Sequence, residues 1–163
     1  MARIGVFPGS FNPLTVGHLA VAEAARHHHR LGRIDLVIST VPLAKEDHPD
    51  LAPVGDRVAA IEAAAEARPW LTAVVTEVQL VVDIAAGYDV VVMGADKWAQ
   101  LHDPRFYGGD PAARDAAVRR LPTPAVAPRP PYPVPDQHRL DVPEWVAEVS
   151  ATAVRSGRHD WRA

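Results

Sequence analysis

Residues 9–18 read Gly-Ser-Phe-Asn-Pro-Leu-Thr-Val-Gly-His and separate two regular patterns. Residues 3–7 before them form an apolar run typical of a buried strand, and residues 19–30 after them form an Ala-rich helical pattern. A strand that enters a Gly-containing turn and leaves through a helix directs free backbone N–H groups, and the positive end of the helix dipole, at the mouth of the turn. A phosphate group is the natural ligand there, and His18 is expected to face it.

The rest of the chain alternates strand and helix patterns. Further strands are predicted at 34–40, 71–78, 89–93 and 125–127, with a short one at 139–142. This alternation predicts an α/β protein with a doubly wound parallel sheet of about five strands, covered by helices on both faces, in a single domain spanning 1–163. Gly9 follows the first strand and Gly94 follows the fourth. If these two strands are neighbours, both loops face one crevice.

The composition limits the class of protein. Of the 163 residues, 48% are hydrophobic and 23% are charged, as in a soluble globular domain. The absence of cysteine excludes disulfides, thiol nucleophiles and thiolate metal sites. Neither a membrane span nor a signal peptide is expected, so a cytoplasmic location is predicted. The net charge of −3 argues against a nucleic-acid partner and is compatible with a small anionic ligand.

Two common phosphate-binding loops do not match the first motif. No Gly-Lys-Ser/Thr closes it, so it is not a Walker A loop. The Gly-x-Gly-x-x-Gly dinucleotide fingerprint is also absent. Residues 9–18 therefore offer a different set of groups, namely one turn glycine and several small polar side chains around His18.

Three consecutive histidines, His27, His28 and His29, close the first helical pattern. Neighbouring residues of a helix point about 100° apart, so these side chains are not expected to converge on one ion. The segment is interpreted as a solvated basic end that complements the helix dipole. No metal site is assigned to any protein side chain.

Residues 9–18 resemble the signature of the HxGH/TxGH nucleotidylyltransferases, with Thr15 in place of the first histidine. Residues 149–155 read Val-Ser-Ala-Thr-Ala-Val-Arg and are similar to the second family motif, Ile-Ser-Ser-Thr-x-x-Arg, with Ala151 in place of the second serine. The two motifs lie about 130 residues apart in the family's order. The resemblance covers most of the chain, and it implies a Rossmann-like sheet and transfer of a nucleoside monophosphate from a nucleoside triphosphate to a phosphate acceptor.

The resemblance also implies roles for the first motif. Backbone N–H groups around Gly9, Ser10 and Phe11 would hold phosphate oxygens, and Gly17 belongs to the same nucleotide-binding set. Thr15 and His18 are grouped with the catalytic residues, and His18 would donate to the α-phosphate as charge develops there. Taken without the second motif, His18 is better interpreted as a residue that makes only a local hydrogen bond in the first helical turn, and the second motif reverses that preference.

The second motif would bind the triphosphate end of the nucleotide. Ser150 and Thr152 would bind the β- and γ-phosphates, and Arg155 would add fixed charge and a planar fork of donors. A Mg²⁺ ion would bridge the phosphates of the ATP substrate without a dedicated protein cage. The expected partners are ATP and a small phosphorylated acceptor, and a homo-oligomer is left open.

Two further segments resemble the nicotinate and nicotinamide mononucleotide adenylyltransferases. Residues 94–101 are similar to that branch's Gly-x-Asp-x-x-x-x-Leu, which implies that Asp96 binds the ATP ribose, although an acid there could simply open a helix. Residues 42–45 resemble its Pro-x-x-Lys, so Lys45 either contacts a phosphate or is an exposed loop lysine. The Arg-Gly-Leu-Arg motif of the phosphopantetheine enzymes is missing.

The predicted function is therefore AMP transfer from ATP to a pyridine mononucleotide, giving a dinucleotide and pyrophosphate. Two alternatives remain. One is a related adenylyl- or cytidylyltransferase with phosphopantetheine or an alcohol phosphate as acceptor. The other is a nucleotide-binding module without activity, which Ala151 motivates. Trp98 either stacks on a flat ring or packs at the rim, and the Pro-rich residues 122–135 form either a lid or a strap.

Overall fold

The computed structural model describes residues 2–41 and 51–163, together with every side chain in those ranges except that of Thr152. Its centre is a parallel sheet of five strands in the order β3-β2-β1-β4-β5. The strands are β1 (Arg3–Pro8), β2 (Leu31–Ser39), β3 (Leu71–Thr76), β4 (Val90–Gly94) and β5 (Thr123–Ala127). The predicted doubly wound α/β sheet is confirmed.

Helices connect the strands and cover both faces of the sheet. They are α1 (Val16–His29), α2 (Val54–Ala65), α3 (Val81–Ile84), α4 (Ala95–Leu101), α5 (Pro111–Arg119) and α6 (Ala151–Arg155). Four 3₁₀ turns lie at Pro104–Tyr107, Asp136–His138, Glu144–Glu148 and His159–Trp161. No helix in the described ranges is both long and apolar enough to cross a membrane.

The core consists of two apolar clusters, one on each face of the sheet. Successive residues of a strand point to opposite faces, so Phe7 belongs to the cluster under α1 and Val6 to the cluster under α3, α4 and α5. The same alternation continues in β2, where Leu36 faces α1 and Val37 faces the other side. Burial on both faces explains why β1 and β4 are almost continuously apolar.

One predicted strand is wrong. Residues 139–142 make a single parallel bridge, between Arg139 and Val126, reinforced by the Leu140 N–H donating to the Val126 carbonyl at 2.9 Å. The segment does not extend the sheet, because the next rung would need an N–H from residue 128, and Pro128 has none. Leu140 is instead a single buried anchor for the Pro-rich segment.

The histidines at the end of α1 lie where the helical pattern predicted. His27, His28 and His29 occupy its last turn, and His27 and His28 are exposed. His27 approaches Glu23, one turn earlier, at 2.8 Å. Arg30 then ends the helix in the left-handed conformation.

A buried carboxylate ties the centre of the sheet to the start of β4. Asp35 on β2 is 4% exposed, and its side chain accepts hydrogen bonds from the Tyr88 hydroxyl at 2.6 Å, the Arg33 Nε–H at 2.9 Å and the Thr72 hydroxyl. Burial, together with the hydrogen bond to Asp35, raises the pKa of Tyr88 to about 12. Tyr88 is therefore a neutral donor at physiological pH.

We expect Tyr88→Phe to lower the free energy of unfolding by about 1–2 kcal/mol, because it removes one donor to a buried charge. The folded state holds the Tyr88 proton more tightly than the unfolded chain does. Its contribution is thus complete below about pH 10 and is lost as the pH rises through about 12. Urea unfolding of both proteins at pH 7 and between pH 10 and 12 measures the difference, which should shrink across the alkaline range.

Tyr132→Phe is the matched control, since Tyr132 is an exposed tyrosine. It should leave stability and its pH dependence unchanged. Equal stability of Tyr88→Phe and the wild-type protein at pH 7 would contradict the role given to the Asp35 cluster.

Candidate functional site

A cleft opens where the chain order of the strands reverses. β1 pairs with β4 in parallel, through Gly5 with Val90 and Val6 with Val91, whereas the chain runs from β1 to β2 on the other side. Loops after β1 and β4 therefore share one crevice, as the sequence predicted, and a ligand is expected there in a doubly wound sheet. The crevice encloses about 330 Å³ and is also lined by residues that follow β5.

Ten of the twelve predicted site residues line this cleft. They are Gly9, Ser10, Phe11, Thr15, Gly17, His18, Gly94, Asp96, Ser150 and Arg155. Lys45 lies outside the described residues. Thr152 is within α6, but its side chain is not described. The roles assigned to all twelve remain predictions.

The turn after β1 is shaped by a buried aromatic ring. Phe11 has a left-handed backbone (φ 47°), and its ring is 2% exposed and meets the Phe7 ring edge-on at 5.4 Å between centroids. The ring also covers Gly9, where an added Cβ would lie 3.0 Å from it. The Gly9 N–H donates to the Val37 carbonyl at 3.0 Å, which fixes the turn to β2. A larger residue at position 9 would push the ring away.

Thr15 and His18 form a reciprocal cap at the start of α1. The Thr15 side chain accepts from the His18 N–H at 3.2 Å, and the Thr15 N–H donates to His18 Nδ1 at 2.9 Å. Because Nδ1 accepts this hydrogen bond, a neutral imidazole carries its proton on Nε2 and can donate from that atom. The Phe11 ring packs edge-on against the imidazole at 5.0 Å. Thr15, which is 1% exposed, therefore orients His18.

The second motif contacts the first through a glycine. A Cβ at Gly17 would lie 3.1 Å from the Val149 side chain, so the lack of a side chain there permits the close approach. Ser150 follows, and its hydroxyl caps α6 by accepting from the Ala153 N–H at 3.0 Å. At the other end of α6, an Arg155 Nη1–H donates to the Asn12 carbonyl. Two motifs far apart in sequence thus form one wall of the cleft.

The end of β4 supplies the facing wall. Gly94 precedes α4, and the Asp96 carboxylate folds back over it, 2.7 Å from where a Cβ at Gly94 would stand. Lys97, the next residue, also lines the cleft and donates to the Gln100 side chain at 2.8 Å. The Asp96 side chain is accessible from the crevice and can accept hydrogen bonds from a ligand hydroxyl.

Trp98 does not line the cleft. Its ring stands between two imidazoles, at 4.6 Å from His102 and 5.5 Å from His138, and it packs against the core on that face. Of the two interpretations of Trp98, the geometry favours packing.

Besides Lys97, the cleft holds Arg129 and Tyr107, which also lie outside the predicted set. Arg129 follows β5 and donates to the Val149 carbonyl at 3.3 Å, which links the Pro-rich segment to the second motif. The feature of the sequence that could have indicated Arg129 is a positively charged residue two positions after a buried strand. Tyr107 donates to the Leu101 carbonyl at 2.9 Å, and burial raises its pKa, so it lines the cleft as a neutral group.

The cleft is positively charged. Among the described residues, its charged lining consists of Lys97, Arg129 and Arg155 against the single carboxylate of Asp96. Together with the donor on His18, this balance suits a ligand that carries several negative charges. No cluster of three metal-ligating side chains occurs within 2–41 and 51–163.

Proteins similar in sequence to this chain are named as nicotinate-nucleotide adenylyltransferases. A Bordetella avium protein named as a probable nicotinate-nucleotide adenylyltransferase is 37% identical over 79 residues, which are 48% of this chain and 39% of that protein. A similarly named Methylorubrum extorquens protein is 47% identical over 64 residues, which are 39% of this chain and 34% of that protein. The matched stretch thus spans less than half the length of each relative.

A solved structure supports the same fold. A Vibrio parahaemolyticus protein, provisionally named a nicotinate-nucleotide adenylyltransferase, superposes with a TM-score of 0.57 over 96% of this chain and 80% of its own, at 17% identity.

The profile of the Cytidylyltransferase-like family matches residues 6–156. That span includes the sheet from Val6 onward, the cleft and both motifs. The chain belongs to the Cytidylyltransferase-like family.

Proposed function

We propose that the protein is a nucleotidylyltransferase that moves AMP from ATP to the phosphate of a pyridine mononucleotide such as nicotinate mononucleotide. The observation that carries the proposal is the contact between the two motifs. Val149 packs on Gly17, and Arg155 donates to the Asn12 carbonyl, so that His18 and Arg155 line one cleft. The names of the similar proteins favour nicotinate mononucleotide as the acceptor.

In the proposed reaction, an oxygen of the acceptor phosphate attacks the α-phosphorus of ATP. The bond between that phosphorus and the oxygen bridging to the β-phosphorus breaks, and pyrophosphate leaves with the electron pair. No covalent bond to the protein is needed, so the protein acts by positioning both substrates and neutralising charge.

Each group of the cleft has a task in this scheme. The His18 Nε2–H donates to an α-phosphate oxygen as negative charge grows there, and Thr15 holds the imidazole in the required tautomer. Arg155 faces the leaving pyrophosphate, since it offers a charged fork of donors. Asp96 accepts from the ribose hydroxyls. Mg²⁺, held by phosphate oxygens and water, would neutralise the triphosphate when bound.

Replacing His18 tests the proposed donor. We expect His18→Ala to lower kcat by about 100-fold or more, because one preorganised donor to a developing charge is lost. The control is His27→Ala, an exposed histidine of the same helix, which should keep wild-type turnover. Steady-state pyrophosphate release measures both. Near-normal kcat in a folded His18→Ala protein would remove His18 from the mechanism.

Arg155 should act on the binding of the triphosphate. We expect Arg155→Met to raise the KM for ATP by about tenfold or more, since a charge-assisted bond to phosphate is lost. Arg158→Met is the control, because Arg158 is an exposed arginine that pairs with Asp160. An equal change in KM in the two variants would mean that the effect is only one of net charge.

The acceptor is identified by a screen. Pyrophosphate release should be fastest with ATP, Mg²⁺ and nicotinate or nicotinamide mononucleotide. Faster release with phosphopantetheine, or with CTP and an alcohol phosphate, would keep the chemistry and replace the acceptor. ATP binding without release for any acceptor would favour a nucleotide-binding module, the alternative that Ala151 motivates.

A further inference from the structure

Behind the phosphate-binding turn lies a buried cation. Arg57 is on the first turn of α2, and only 4% of it is exposed. α2 is otherwise largely solvated, since its only other buried residue is Ile61, one turn later on the same face. Burying an arginine is costly unless its guanidinium is well hydrogen-bonded and its charge is balanced. The burial of Arg57 therefore needs an explanation.

The hydrogen bonds of Arg57 run to the backbone. Nε donates to the Ala52 carbonyl at 2.9 Å, and Nη1 donates to the Ser10 carbonyl at 3.0 Å. The Ala52 N–H in turn donates to the Asn12 side-chain oxygen at 3.0 Å. Arg57 thus connects α2 with the turn of the first motif, and it does not itself line the cleft.

Its positive charge has no acidic partner in the described part of the chain. No carboxylate oxygen there lies within 4.0 Å of the guanidinium. Burial lowers the pKa of Arg57, but an arginine side chain stays protonated in a protein. A fixed charge therefore lies next to the turn, and the groups that compensate it among the described residues are the Ala52 and Ser10 carbonyl dipoles.

The bond to Ser10 also orients the neighbouring N–H. In a trans peptide the carbonyl and the following N–H point in opposite directions. Because the Ser10 carbonyl points at Arg57, the Phe11 N–H points away from Arg57, and both Ser10 and Phe11 line the cleft. Within 2–41 and 51–163 no acceptor takes a hydrogen bond from that N–H. It is available for an anion.

We propose that Arg57 is a positioning residue for the polyphosphate of the substrate, acting through the turn. It fixes the Ser10 peptide so that the Phe11 N–H faces the phosphate, and it supplies a buried positive charge that the bound anion balances. The inference rests on the proposed function for the identity of the anion. Arg57 touches neither substrate nor reacting atoms.

The test compares Arg57→Met, which removes charge and donors, with Arg57→Lys, which keeps the charge. Tripolyphosphate binding is measured by titration calorimetry, corrected for the folded fraction from urea unfolding. We expect Kd to rise about tenfold or more for Arg57→Met and about threefold for Arg57→Lys, since charge and orientation both contribute. The dependence of Kd on salt should become shallower only in Arg57→Met.

Arg68→Met is the matched control. Arg68 also donates to a backbone carbonyl, that of Ala64 at 3.1 Å, but it lies away from the cleft lining. It should keep Kd within about twofold of wild type, since the cleft is untouched. Wild-type affinity and salt dependence in folded Arg57→Met would overturn the inference and show that Arg57 only stabilises the fold.

A second measurement covers the case in which Arg57→Met does not fold. In ¹⁵N-labelled wild-type protein, the Phe11 amide resonance should shift on saturation with tripolyphosphate, and an unchanged resonance would overturn the inference. Wild-type protein that binds tripolyphosphate without turning over any acceptor would overturn the proposed function alone. Protein that binds neither tripolyphosphate nor ATP would overturn both.

Discussion

The candidate site depends on the close approach of Val149 to Gly17. A Cβ at position 17 would stand 3.1 Å from the Val149 side chain, so only glycine allows the two segments to meet without displacement. The contact brings Ser150 and Arg155 to the wall that already carries His18. In the proposed reaction, the two motifs together would hold both ends of one polyphosphate. Substrate positioning would then depend on backbone packing as much as on charged side chains.

Several neighbouring side chains fix the conformation of the first motif around this contact. Thr15 fixes the imidazole of His18, Phe11 covers Gly9, and Arg155 holds the Asn12 carbonyl. The last residues of the chain add to this support, since Arg162 bridges to Thr15 and the Ala163 N–H donates to the Leu14 carbonyl at 3.1 Å. A turn fixed in this way can present donors to a phosphate without rearranging when charge develops.

Much of this arrangement was predictable from the sequence. The alternation of apolar runs with helical patterns predicted a sheet with helices on both faces. The Gly-containing ends of β1 and β4 indicated the crevice. The predicted strand at 139–142 is wrong because burial of Leu140 alone does not make a strand. A strand also needs a continuous ladder with its neighbour, and Pro128, directly after β5, has no N–H to donate. Arg57 was not predicted because an arginine on a helix is usually exposed, and its inward orientation depends on the Ser10 carbonyl, 47 residues earlier.

The proposed reaction joins two phosphorylated molecules in the cleft, and the fate of the AMP moiety shows whether this happens. The protein is incubated with ATP labelled at the α-phosphorus, nicotinate mononucleotide and Mg²⁺. We expect the label to enter a dinucleotide and one pyrophosphate to form for each dinucleotide. Label found only in unreacted ATP, or released as free AMP, would contradict the proposed reaction.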